Sequence, residues 1–107
     1  MNVSLKDYSN AVLGLYSRLP DTTTKARPAD RRSLEQLHSR GVSLATIEFA
    51  FLLASARRLC RHPNKPPLPQ IRSLAYFLPV IDEISRKPMP PGYLAYLRSK
   101  VSLKPTS

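Results

Sequence analysis

Leu5, Tyr8, Val12, Leu15 and Leu19 recur at alternating steps of three and four residues, which lines them along one helical face. The spacing predicts a first helix over residues 3–19, with Ser4 and Asp7 as a capping-box start and Pro20 as its stop. The following stretch, PDTTTKARPAD, has no apolar period and two prolines, and reads as an exposed basic loop. A second helix is predicted to begin at Asp30 or Ser33, where Ser33 and Gln36 fit a Ser-x-x-Gln box. Leu34 and Leu37 give it a narrow apolar stripe, and Gly41 provides the left-handed stop.

Ser43 is placed to cap a third helix, and from Leu44 to Arg61 the apolar positions run almost around the circumference. A helix of that kind is normally buried on most sides, which makes it the expected centre of the fold. Residues 62–70, HPNKPPLPQ, hold four prolines in nine positions and predict an extended connector. Helical spacing resumes through Ile71, Leu74, Phe77, Leu78, Ile81 and Ile84. Pro79 interrupts it, either kinking one helix or opening a new one with Asp82 and Glu83 in its first turn. After Pro88, Pro90, Pro91 and Gly92, a last helix turns Tyr93, Leu94, Leu97 and Val101 toward the core, and residues 104–107 are expected to fray. No segment alternates as a strand does. The expected fold is all-α, a single-domain bundle over residues 1–107 of about five helices, with a Pro-rich connector.

A chain of 107 residues is suited to one core rather than two. Its one cysteine excludes a disulfide framework within the chain, and its longest apolar run, Phe49 to Ala54, is too short to span a bilayer. The N-terminal stretch lacks the layout of a secretory signal, so a cytoplasmic location away from membranes is expected. Charge changes the picture most. Lys and Arg number 17 against 7 Asp and Glu, a formal charge of +10, which points to an anionic partner.

The cations cluster. Lys25, Arg27, Arg31 and Arg32 occupy the first loop and the next helix start, while Arg57, Arg58, Arg61, His62 and Lys65 close the central helix and enter the connector. An arginine fork donates two hydrogen bonds to phosphate, and neutralised phosphates release counterions. For Arg57, Arg58 and Arg61 a blander role competes, since cations at a helix C-terminus complement its dipole by roughly 0.3–1 kcal/mol each. Arg31 and Arg32 near a helix start face the opposite dipole, and so call for another reason, such as a bound anion. The five tyrosines could stack on bases or serve as amphipathic core edges, the commoner use.

Catalysis is not expected. Asp82 and Glu83 are adjacent and point about 100° apart on a helix, so they make no acid–base pair. Cys60, His62 and His38 fall short of a zinc ligand set, and three glycines leave no room for a phosphate-cradling loop. Neither a cofactor nor a metal is expected.

The segment RRSLEQLHSRGVSLATIEFAFLLASARR, with Gly41 flanked by Leu37, Val42 and Ile47, resembles the helix-turn-helix of DNA-binding proteins. That resemblance implies base readout near Ser43, Thr46 and Glu48. Leu44 to Ala54 departs from it in being mostly apolar, and an ordinary helical hairpin is the competing reading. IRSLAYFLPVIDEI and GYLAYLRSKV resemble closing helices of mobile-element and replication-initiation accessory modules. This implies a partner in a larger replication, transposition or defence complex. The leading expectation is a nucleic-acid binder, DNA rather than RNA, using Arg27, Arg31, Arg32, Ser43, Thr46, Arg57, Arg58, Arg61 and Lys65. The alternative is a non-catalytic adaptor whose basic surface meets an acidic protein or a larger nucleoprotein complex. Oligomeric state is left open.

Overall fold

Ser4 opens the first helix as the sequence suggests: its hydroxyl accepts from the Asp7 amide at 3.1 Å, satisfying one of the orphan donors at the start of α1, Leu5–Arg18. The computed structural model describes residues 4–20, 22, 28–59, 64, 68–87, 90–101 and 103. Among these it holds four further α-helices: α2 (Pro28–Ser39), α3 (Leu44–Leu59), α4 (Leu78–Arg86) and α5 (Tyr93–Lys100). A 3-10 turn, Leu74–Phe77, leads directly into α4. The fold is all-α. No strand occurs among the described residues, only an isolated parallel bridge between Thr22 and Ile71.

The buried face of α1 drifts from the expected one. Tyr8, Val12, Tyr16 and Leu19 are buried, whereas Leu15 is half-buried and Leu5 exposed. Steps of four, four and three follow a 3.6-residue turn over this length more closely than the expected stripe does. Thr22 then shares its hydroxyl hydrogen between the carbonyls of Tyr16 and Leu19, 2.7 and 2.9 Å away, which supplies the α1 C-terminus with a side-chain donor.

α2 begins earlier than expected, at Pro28, where the missing amide hydrogen costs nothing and φ is already helical. Ser33 is therefore inside the helix and not its cap; its hydroxyl bonds back to the Ala29 carbonyl at 3.4 Å. The end of α2 follows from its sequence. Gly41 takes φ +73°, its amide bonds the His38 carbonyl and the Val42 amide bonds the Leu37 carbonyl, the paired bonds of a Schellman stop.

α3 lies at the centre, as its all-round apolarity predicts. Ile47 and every residue from Ala50 to Ser55 are buried, and the helix packs on α1, α4, α5 and the 3-10 turn. An aromatic cluster fills the middle of the core: Phe51 lies 4.6 Å from Phe77 between ring centroids, and Tyr16 meets both edge-on at 6.4 and 6.2 Å. α2 packs chiefly on α1 and the 3-10 turn, so α1 joins the two arms of the α2–α3 hairpin.

Pro79 opens a helix and does not kink one. It occupies the first turn of α4, where no helical amide is lost, and the preceding 3-10 turn absorbs the change in winding. This places Asp82 and Glu83 in the body of α4 and not in its first turn, a correction to the dipole role expected for them. Pro88, much of the 62–70 connector and residues 104–107 lie outside the described residues. No helix among the described residues is long and apolar enough to cross a membrane.

Candidate nucleic-acid interface

The residues expected to read bases are engaged by other groups of the chain. The Ser43 hydroxyl accepts from the Thr46 amide at 3.1 Å and lies 2.9 Å from the Thr46 hydroxyl, closing the N-terminus of α3. Glu48, next on that helix, takes two hydrogen bonds from Arg98 at 3.0 and 2.7 Å. The start of α3 thus presents a cap and an ion pair where a groove-reading helix would present free polar side chains.

The expected phosphate anchors other than Arg58 divide into three groups. Arg27, Arg61 and Lys65 lie outside the described residues. Arg57 is committed to the fold: its guanidinium donates both ends to Glu83, at 3.0 and 2.6 Å. That fork holds the Glu83 carboxyl below the ordinary glutamate range, first through its hydrogen bond, and in turn raises Arg57 further. Arg40 pairs with Asp82 at 3.0 Å, so both neighbouring carboxylates of α4 hold an arginine from elsewhere in the chain.

Arg31 and Arg32 form the third group. They are exposed and make no ion pair among the described residues. Because α2 starts at Pro28, they sit where its first turn passes into its second, away from the strongest part of the dipole repulsion expected at a helix start. Just before them Asp30, 1% exposed, accepts a 2.9 Å hydrogen bond from the Leu74 amide. A carboxylate from α2 therefore caps the 3-10 turn. The bond seats the turn bearing Arg31 and Arg32 against the segment bearing Arg72, itself exposed and without an ion pair among the described residues. In the sequence Arg72 merely flanks the fourth helical region; what gives it this position is a contact across 44 residues.

From Arg72 the surface continues as three adjoining clefts around the C-terminal end of α3. The first, about 440 Å³, runs along Pro69 to Ser73 and reaches Arg58 and Tyr76. The second, about 300 Å³, shares Arg58, Leu68 and Tyr76 with it and extends to Arg57. The third, about 430 Å³, lies beyond Arg57 between α3 and α5, against Leu59, Tyr93, Tyr96 and Lys100. Arg58 is fixed in this run. It donates to the Pro69 carbonyl at 2.9 Å and to the Tyr76 hydroxyl at 3.2 Å, with its guanidinium 5.5 Å from the Tyr76 ring centroid. Lys100 stands at the same 5.5 Å over Tyr96, whose other neighbour is Tyr93, stacked at 5.8 Å and 19°.

The tyrosines separate accordingly. Tyr8 and Tyr16 are core residues; the Tyr8 hydroxyl donates to the Val42 carbonyl at 2.9 Å, and burial pushes its pKa up. Tyr76 and Tyr96 are 43% and 53% exposed, too open to count as core edges. Among the described residues no group of three His, Cys, Asp or Glu side chains could hold a metal; His38 lies edge-on to Tyr8, and Cys60 and His62 fall outside the described residues. No protein family, curated protein or solved structure matches this chain.

Proposed function

We propose that this chain is a non-catalytic nucleic-acid-binding protein, held to its ligand chiefly by phosphate contacts. The supporting observation is the Asp30–Leu74 bond, which joins the helix bearing Arg31 and Arg32 to the segment bearing Arg72; all three are exposed and make no ion pair among the described residues. Self-neutralisation does not remove the surplus. Three of the seven acids are engaged by Arg40, Arg57 and Arg98, but each pair withdraws one charge of either sign, and the formal +10 stands. A protein so charged attracts any polyanion, and one with exposed arginine forks suits phosphate in particular. A role as the accessory part of a larger DNA-handling complex fits this reading and rests on sequence resemblance alone.

The test is a fluorescence-anisotropy titration of a labelled oligonucleotide over a range of salt. Converting Arg31, Arg32 and Arg72 to Gln should weaken binding and flatten the dependence of log K on log salt by about 0.7–0.9 for each phosphate no longer neutralised. Equal affinity and equal slope in the triple variant would remove the assignment.

A further inference from the structure

We infer that the ligand is single-stranded, and that the clefts at the end of α3 take its unpaired bases by stacking on Tyr76 and Tyr96. This rests on the proposed nucleic-acid function and adds what the phosphate contacts alone do not supply, a preference among nucleic acids. Two features of the molecule converge on it. A duplex reader needs an element with free polar side chains to enter a groove, and at the start of α3 those side chains are engaged in a cap and an ion pair. A single-strand binder needs a cationic track interleaved with accessible aromatic rings, because every base has a face to stack while its neighbouring phosphate needs a cation.

The cleft run has that composition. Arg72 and Arg58 line it with Tyr76, and Lys100 lines it with Tyr96, the two parts meeting at Arg57, which Glu83 neutralises; both tyrosines are about half open to solvent. Each ring already holds a cation 5.5 Å from its centroid. The two differ in how they would admit a base. Arg58 is anchored by the Pro69 carbonyl and the Tyr76 hydroxyl, so it braces its ring and a base would take the open side. Lys100 has no such anchor among the described residues, and its ammonium on a flexible stem can leave the Tyr96 ring for a phosphate as a base replaces it. Tyr93, stacked behind Tyr96, keeps that ring in place. The apolar wall at Leu59, 57% exposed, gives the base edge a surface from which water is readily displaced.

The experiment compares three probes of equal length at one ionic strength: a labelled oligo-dT strand, an abasic strand with the same phosphates, and a mixed-sequence duplex. The proteins are wild type, Y76L and Y96L, substitutions at open positions that keep apolar bulk; circular dichroism checks that each folds. The expected result is tighter binding of oligo-dT than of the other two, a loss of about tenfold on oligo-dT in each variant, and no change on the abasic strand. The chain has no Trp, so quenching of its tyrosine emission by oligo-dT, diminished in Y96L, is a direct second readout. Unchanged oligo-dT affinity in both variants, or a duplex bound as tightly as oligo-dT, overturns the stacking inference and leaves phosphate binding intact. Failure to bind any of the three overturns the nucleic-acid reading itself. A poly-glutamate chain bound as tightly as oligo-dT, and weakened equally in Y96L, would instead assign the clefts to an acidic protein.

Discussion

A carboxylate at 1% exposure is costly unless its oxygens are paired, and Asp30 offsets that cost by accepting from the Leu74 amide at the start of the 3-10 turn. The same bond joins α2 to the Arg72 segment, so one side chain supports both fold and proposed surface. Asp30→Ala should destabilise the protein by about 1–3 kcal/mol in urea unfolding, since the Leu74 amide is left buried without its acceptor. Asp30→Asn, which retains a carbonyl oxygen, should lose less; equal losses would show that packing and not the hydrogen bond is at stake. Glu83 makes a different prediction. Its carboxyl is held below the ordinary range by Arg57, so its contribution is complete above about pH 4.3 and fades as the pH falls through the lowered value. The melting temperatures of wild type and Glu83→Gln should therefore differ at neutral pH and converge in acid. A gap that stays constant down to about pH 2, below the ordinary glutamate range, would contradict the pair's role.

The α2–α3 joint is built from local chemistry, and for that reason it is legible in the sequence. Gly41 with positive φ and Ser43 as N-cap are read from neighbouring residues, and the bonds they make are short-range. No heavy atom lies within 4 Å of where a Gly41 side chain would begin, so Gly41→Ala should cost only the left-handed backbone penalty, about 1 kcal/mol. Ser43→Ala should cost a similar amount through the lost cap. Neither should alter oligonucleotide affinity measured on folded protein. Reduced affinity in Ser43→Ala with stability unchanged would restore the start of α3 as a reading surface. The centrality of α3 is equally legible, because a helix apolar on nearly every side has to be covered by its neighbours. Contacts across distance are not. Arg57 meets Glu83 over 26 residues, Arg40 meets Asp82 over 42, and Arg98 meets Glu48 over 50. Periodicity places each of these side chains on a helix face but says nothing of which other face it meets. The early start of α2 is hidden for a related reason: Pro28 reads equally well as a loop residue or as the first residue of a helix.

At the scale of the molecule, the described cations are put to different uses. Arg57 is committed to the fold and Arg58 braces a tyrosine, while the bond from Asp30 to the Leu74 amide joins the helix that bears Arg31 and Arg32 to the segment that bears Arg72. The exposed tyrosines are visible in sequence only as residues of an amphipathic type; their selection out of five depends on which faces the 3-10 turn and α5 present to α3. The proposed ligand places its bases in the clefts lined by Arg72, Arg58, Tyr76, Tyr96 and Lys100, with Arg31 and Arg32 on α2 as further phosphate contacts. An amide chemical-shift titration of the isotopically labelled protein with oligo-dT tests that placement most directly. Shifts should concentrate at Arg31, Arg32, Arg72, Tyr76, Tyr96 and Lys100, with Ser43 and Thr46 unmoved. Shifts centred on Ser43 and Thr46, or scattered evenly over all five helices, would contradict it.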